Sequence, residues 1–176
     1  MKVESYELPD GFRLERLLRR HQRKSFRSGE RKVDDWLATK AWQNQEKRLS
    51  ATKVLIDPHG AIAGYCTLAT GQVDFSALPG DLTKHLPHRL LPVAVVAWLG
   101  VSAAHQGKGL GRLLLLHGLL DCHEGAKTFP FVAVVLDCIN AAAKSFFQRW
   151  DFQELPGNPY RLYLSAASLS AMMEVR

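Results

Sequence analysis

Val93-Ala94-Val95-Val96-Ala97-Trp98-Leu99-Gly100-Val101, followed after a short connection by Gln106-Gly107-Lys108-Gly109-Leu110-Gly111, decides how this chain is read. The first stretch is almost continuously apolar and rich in β-branched residues, the pattern of a central strand buried on both faces. The apolar run Leu110 to Leu120 reads as a helix, because Glu124-Gly125 supplies its C-terminal stop. Between strand and helix lies a loop with glycines at alternating positions. Glycine lets the backbone approach a ligand closely, and the first amide groups of the helix have no partner within it. An anion fits where they converge. Each such contact contributes roughly 0.3 to 1 kcal/mol, so several acting on one diphosphate give useful affinity. Lys108 and Arg112 add formal charge beside it.

Two familiar phosphate loops do not match. A nucleoside-triphosphate loop would follow its lysine with Ser or Thr, whereas Gly109 follows Lys108. A dinucleotide fold would place the loop after the first strand of the chain, whereas here a long N-terminal half precedes it. A plain turn would need one glycine, not several.

Upstream, Leu14, Leu17 and Leu18 recur among arginines between Phe12 and Lys24, which predicts a short amphipathic helix. Val33, Trp36, Leu37, Ala41 and Gln45 predict a second helix from Glu30 to Lys47, so that two helices precede the sheet. Thr52 to Ile56 and Ala61 to Ala69 flank the turn Asp57-Pro58-His59-Gly60 and predict a hairpin. Thr70 to Pro92 carries prolines and glycines and predicts an irregular, mobile or partner-contacting loop with at most one helical turn. Downstream, Phe131 to Leu136 predicts a buried strand and Asn140 to Trp150 a helix. A last strand, Tyr160 to Leu164, follows the turn Pro156-Gly157-Asn158-Pro159. The sum is an α/β fold with a mixed sheet in a single domain, residues 1–176.

The net charge of +6 is concentrated in the N-terminal segment, through Arg13, Arg16, Arg19, Arg20, Arg23, Lys24, Arg27, Arg31 and Lys32. Such a field attracts a phosphate-rich partner, nucleic acid being the commonest, and a solvated helix face has the same composition. Cys66, Cys122 and Cys138 lack metal-ligand spacing and an even count, and read as reduced, buried small hydrophobes. Trp36, Trp42, Trp98 and Trp150 read as core residues rather than base-stacking platforms, Trp98 being expected fully buried. No apolar run is long enough for a membrane span, and Met1 to Ser5 show no secretory pattern, so a cytoplasmic location is expected.

Gln106, Gly109 and Gly111 fit Gln/Arg-x-x-Gly-x-Gly/Ala, and Asn140, Ala143, Phe146 and Phe147 fit Asn-x-x-Ala-x-x-Phe-Tyr, with Asp151-Phe152 where Gly-Phe usually closes it. With these two motifs in this order, the chain resembles the GNAT acetyltransferase superfamily from about Thr52 to Leu164. The resemblance implies that superfamily's fold, a mixed, mostly antiparallel twisted sheet flanked by helices. It also implies an acetyl-CoA-binding core over 52–164 behind a basic helical part over 12–48, and acetyl-CoA as the acetyl donor. Leu99, Gly100 and Val101 would then pair through their main chain with the acetyl and pantetheine groups. Gln106, Gly107, Lys108, Gly109, Leu110, Gly111 and Arg112 would hold the diphosphate, and Asn140 and Phe146 would line the pantetheine arm.

Ser28-Gly29, Val33-Asp34-Asp35-Trp36-Leu37, Ala41, Gln45 and Gly64-Tyr65-Cys66-Thr67-Leu68-Ala69 are similar to the GNAT toxins of bacterial toxin-antitoxin pairs. That narrower resemblance implies acetylation of the free amine of aminoacyl-tRNA, with Arg19, Arg20, Arg23, Lys24 and Arg27 on the tRNA backbone. It implies also a small antitoxin protein and a homodimer, and no membrane partner. Phe147 departs from the pattern, since relatives carry a tyrosine there whose hydroxyl protonates the leaving thiolate. Tyr160, Tyr163 and His105 are the candidate substitutes. A small-molecule or protein N-acetyltransferase, and a catalytically impaired acetyl-CoA-binding protein, remain the alternatives to the toxin reading.

Overall fold

The computed structural model describes residues 6–174, so the leader reading of Met1 to Ser5 lies outside the described residues. Seven strands form one sheet in the order β1-β2-β3-β4-β5-β7-β6. They are β1 (Arg13–Arg16), β2 (Ala51–Ile56), β3 (Ile62–Asp74), β4 (Leu90–Val101), β5 (Ala133–Asp137), β6 (Gln153–Leu155) and β7 (Asn158–Ser165). The helices are α1 (Arg31–Thr39), α2 (Ala41–Glu46), α3 (Gly80–Thr83), α4 (Leu110–Gly125), α5 (Ala141–Gln148) and α6 (Ala166–Glu174). β4 and β5 run parallel, with Val93 opposite Ala133 and Val95 opposite Val135. The pairs β1–β2, β2–β3, β5–β7 and β6–β7 are antiparallel.

The chain divides into two compact units. One, residues 6–69 and 96–119, holds β1, β2, most of β3 and the C-terminal half of β4. Its core gathers Leu17, Phe26, Val33, Leu37, Val54, Ile56 and Tyr65, with Trp36, Trp42 and Trp98 packed against it. The other unit, residues 70–95 and 120–174, holds the remainder of β3 and β4 with β5, β7 and β6. Val73, Leu91, Val93, Ala133, Val135, Leu155 and Tyr163 form its core.

The expected helix over Phe12 to Lys24 is a correction, because the segment forms β1 and a 3₁₀ turn, Arg23–Ser25. Pairing with β2 overrides the leucine spacing: Leu14 lies opposite Leu55, and the Leu17 N–H donates to the Thr52 carbonyl at 2.8 Å. Only Leu17 of the three leucines is buried. Arg13 Nε reaches Glu15 Oε1 at 2.9 Å, an i,i+2 contact that a strand permits because both side chains share a face. A strand therefore precedes the helices, and the expected second helix is two, broken at Lys40, whose φ is −121°.

The segment Thr70 to Pro92 is more regular than its composition suggests. β3 runs on to Asp74, and a 3₁₀ turn Phe75–Ala77 and α3 follow before β4 begins at Leu90. Asp74 Oδ1 accepts the Ser76 N–H (2.9 Å) and hydroxyl (2.6 Å), which hold its carboxyl below the usual range. β6 and α6 are additions to the expected elements. β6 is three residues long, too short for a periodic signal, whereas α6 is announced by Ser165, whose Oγ accepts the Ser168 N–H, and by buried Leu169, Met172 and Met173.

The remaining elements match their expected positions within a few residues. The three cysteines are buried thiols outside any disulfide, as expected, and Trp150 is buried. Trp98, expected to be buried, is only half-buried, because its ring stacks on that of Trp36 near the unit's surface (5.3 Å between centroids, 13° between planes). No helix among the described residues is long and apolar enough to cross a membrane.

Candidate active site

Each unit carries part of the motif set. In the first, β4 ends at Val101 and a 3₁₀ turn, Ala103–His105, leads into the glycine loop and then α4. Gly107 and Gly109 have φ of +77° and +78°, in the left-handed region that favours glycine. A Cβ added at either would meet nothing within 4 Å, so backbone conformation, not crowding, requires glycine here. Residues 106–109 are exposed while Leu110 is buried, which turns the loop outward at the start of α4. Gln106 is an anchor: its Nε2 donates to the Ser28 carbonyl at 2.6 Å and to the Val101 carbonyl at 3.0 Å. Lys108 and Arg112 are exposed, and Gly111 is half-buried in the first turn of the helix.

Behind the loop, Gly100 is the packing-critical residue of the strand end. A Cβ there would lie 2.4 Å from Val33 Cγ1, so α1 sits directly on β4 at that point. Gly64 on β3 plays the same part towards α4, where a Cβ would lie 2.6 Å from Leu114 Cδ1. Leu99 and Val101 are half-buried.

The basic segment belongs to the same unit. Arg19, Arg20 and Lys24 are exposed, and Arg20 pairs with Glu15 at 3.3 Å. Arg27 donates from Nη1 to its own backbone at the Lys24 and Phe26 carbonyls, both at 2.8 Å. Arg23 is half-buried, and its Nε is buried without a hydrogen-bond partner. His21, buried beneath them, accepts the Leu18 N–H at Nδ1 (2.8 Å), so its Nε2 carries the proton donated to Glu15 at 2.9 Å. The charge cluster is thus held by a folded turn rather than spread along a helix face.

In the second unit, Asn140 caps α5, its Oδ1 accepting the Ala143 N–H at 2.8 Å. Phe147 is buried, in edge contact with Phe146 (5.1 Å) and Phe152 (5.9 Å). Asp151, where the motif usually carries glycine, has φ +65°, a conformation Asp tolerates better than most residues.

Tyr163, His105 and Tyr160, the candidates for the hydroxyl that Phe147 lacks, stand in different surroundings. Tyr163 is buried in its core, its hydroxyl donates to Gln153 Oε1 at 3.1 Å, and burial pushes the phenol up from its ordinary range. Both ring nitrogens of His105 are engaged, Nδ1 with Ser102 Oγ at 2.7 Å and Nε2 with Asp57 Oδ2 at 3.4 Å. Tyr160 is 44 % exposed, with the Lys144 ammonium 5.2 Å from its ring centre. Burial pushes the Cys122 thiol up to about 12 and raises that of Cys138, so neither supplies a thiolate near neutrality. Among the described residues no group of three or more His, Cys, Asp or Glu converges as a metal site would require. Asp57 and Ser102 are the contacts that sequence reading missed; Asp57 was visible only as a turn residue.

A sequence model of the acetyltransferase (GNAT) family matches residues 15–152. A curated relative from Mycobacterium tuberculosis, a tRNA-acetylating toxin, is 30% identical over 149 residues, 85% of this chain and 89% of that one. The fold is similar to that of AtaT complexed with acetyl-methionyl-tRNAfMet, with a TM-score of 0.84, 20% identity, and coverage of 92% of this chain and 99% of that one. It is similar also to AtaTR bound with AcCoA, with a TM-score of 0.82, 19% identity, and coverage of 94% and 99%.

Proposed function

This chain belongs to the GNAT acetyltransferase family, and on that premise we propose that it moves the acetyl group of acetyl-CoA to the α-amine of an aminoacyl-tRNA. One observation carries the choice of acceptor. The glycine loop and the turn before it are bonded to the basic segment, through Gln106 to the Ser28 carbonyl and through the Ala103 N–H to the Arg27 carbonyl at 2.7 Å. A small amine has no use for such a field, whereas a polynucleotide held there gains from each neutralised phosphate.

The residues present fit the donor. Gly107 and Gly109 leave open space and the backbone geometry a diphosphate needs, and Lys108, just before α4, and Arg112, in its first turn, supply formal charge. Bound there, acetyl-CoA supplies an activated thioester. The rest falls to this chain: Gln106 to Gly111 hold the diphosphate, the main chain of Leu99, Gly100 and Val101 aligns the arm, and Arg19, Arg20, Arg23, Lys24 and Arg27 draw in the phosphate backbone. Asn140 acts through its amide nitrogen, its oxygen being used in the cap, and Phe146 offers an apolar face to the arm. An α-amine titrates near 7.7 to 8.0, so a sizeable neutral fraction exists close to neutral pH and no strong general base is needed. We assign protonation of the departing thiolate to Tyr160, the exposed phenol of the three candidates.

We treat the family-matched stretch 15–152 as part of one functional domain and place the protein in the cytoplasm, where charged tRNA is found. A protein antitoxin and a second copy of the chain complete the proposed partners. Incubation with acetyl-CoA and charged total tRNA, followed by mass spectrometry, tests the reading: N-acetylated aminoacyl ends are expected. Acetyl transfer to polyamines or peptides with none to tRNA would move the acceptor to the other class of amine.

A further inference from the structure

The connection that precedes the glycine loop carries a polar chain that acetyl transfer, as described, does not use. Asp57, in the β2–β3 turn, is 5% exposed. Its Oδ1 accepts the N–H groups of His59 (2.9 Å) and Ala61 (3.0 Å), and its Oδ2 lies 3.4 Å from His105 Nε2. A carboxylate only accepts, so a ring proton sits on Nε2 facing Asp57, and in the neutral imidazole Nδ1 then accepts the Ser102 hydroxyl at 2.7 Å. Phe12 packs against the same ring, edge-on to the imidazole at 5.8 Å and 89°. The turn is fixed again by backbone, with the Ser102 N–H on the Ala63 carbonyl (2.8 Å).

The loop itself has little to hold it. Residues 106–109 are exposed, and neither Gly107 nor Gly109 has neighbouring atoms where a side chain would begin. Its position depends on the Gln106 side chain, on buried Leu110 at its far end, and on the turn Ala103–His105 from which it springs. His105 is the side chain that ties this turn to the β2–β3 turn.

We propose that His105, oriented by Asp57 and bonded to Ser102, is a positioning residue for the donor's diphosphate, setting the direction in which the loop's amide groups converge. The inference rests on the donor reading of the loop. Ser102, His105 and Asp57 are also the three residue types of a serine nucleophile with its base and orienting acid, and the test separates the two roles.

The full chain and its Asp57→Asn, Ser102→Ala, His105→Ala and His105→Gln variants are titrated with CoA by calorimetry, then assayed with acetyl-CoA and charged tRNA. Asn at 57 keeps the Oδ1 acceptor but turns an amide N–H towards Nε2, reversing the polarity of the ring without changing its shape. The expected result is CoA affinity weakened about fivefold to tenfold, the loss of one or two hydrogen bonds, with a matching rise in the acetyl-CoA KM. The kcat at saturating donor and the KM for tRNA stay at wild-type values. His105→Gln should recover part of what His105→Ala loses. Ser102→Ala leaves Asp57 untouched and carries the test if Asp57→Asn does not fold. Unchanged CoA affinity in all variants overturns the proposal while the loop reading stands. A fall in kcat at saturating donor, with loss of acetyl-CoA hydrolysis in the absence of acceptor, overturns it in favour of a nucleophilic Ser102. Failure of the wild-type chain to bind CoA overturns the loop reading and this inference with it.

Discussion

In the unit built from residues 6–69 and 96–119, the motif is presented by main chain: exposed glycines, a loop anchored from behind by amide and imidazole side chains, and few apolar contacts at the loop itself. In the unit built from residues 70–95 and 120–174, the motif residues are packed side chains, with Phe147 locked among Phe146 and Phe152 and Asn140 committed to a helix cap. Backbone presentation suits binding, because amide groups recognise a diphosphate whatever the neighbouring side chains are. Side-chain presentation suits the placing of single functional groups, the exposed phenol of Tyr160 among them, where one atom decides the outcome. The first unit is therefore expected to respond to substitution in affinity and the second in turnover.

The largest expected effect belongs to the second unit. Tyr160→Phe should lower kcat about a hundredfold, the lower end of what positioned acid catalysis supplies, with the acetyl-CoA KM unchanged; steady-state kinetics with saturating acceptor measures both. An unaltered kcat would show that the thiolate leaves without help from Tyr160 and would break the division. Next comes Gly109→Ala in the first unit. An L-residue in the left-handed region costs about 1 to 2 kcal/mol, and an exposed loop relaxes to avoid that cost, withdrawing its amide groups. Acetyl-CoA binding should weaken roughly tenfold, on the rule that 1.4 kcal/mol is one decade, while the melting temperature changes little; a drop in melting temperature with full affinity would mean that the loop is stiffer than its exposure implies.

The smallest effect is electrostatic. The Arg13 guanidinium, and then His21, hold the Glu15 carboxyl below its usual range. A depressed folded-state value means that the contribution to stability is present above the unfolded carboxylate range and is lost as pH falls through the folded value. Glu15→Gln should thus melt slightly below the wild type at neutral pH, by about 1 kcal/mol or less for so exposed a cluster, and the two curves should converge in acid. Melting curves measured across that pH range would show the convergence.

Legibility in the sequence followed the same division. The central strand, the glycine loop and α4 could be read because burial on both faces and alternating glycines leave strong local signals. The leucine spacing of the basic segment suits a helix, and only the distant pairing of Leu14 with Leu55 decides otherwise. Local pattern carries no information about such a partner. Asp57 and His105 are far apart in the chain and meet only after folding, so their contact had no sequence signature.

Among the described residues β1 is the margin of the sheet, paired on one side only, and its residues Arg13, Glu15 and Arg16 are charged. An open strand edge offers a template on which another chain can build, and the apolar strands further inside this sheet would make such growth irreversible. Charges along the margin repel a second strand. Arg13 and Arg16 thereby also guard against aggregation, so any variant that removes them should be checked first for loss of solubility.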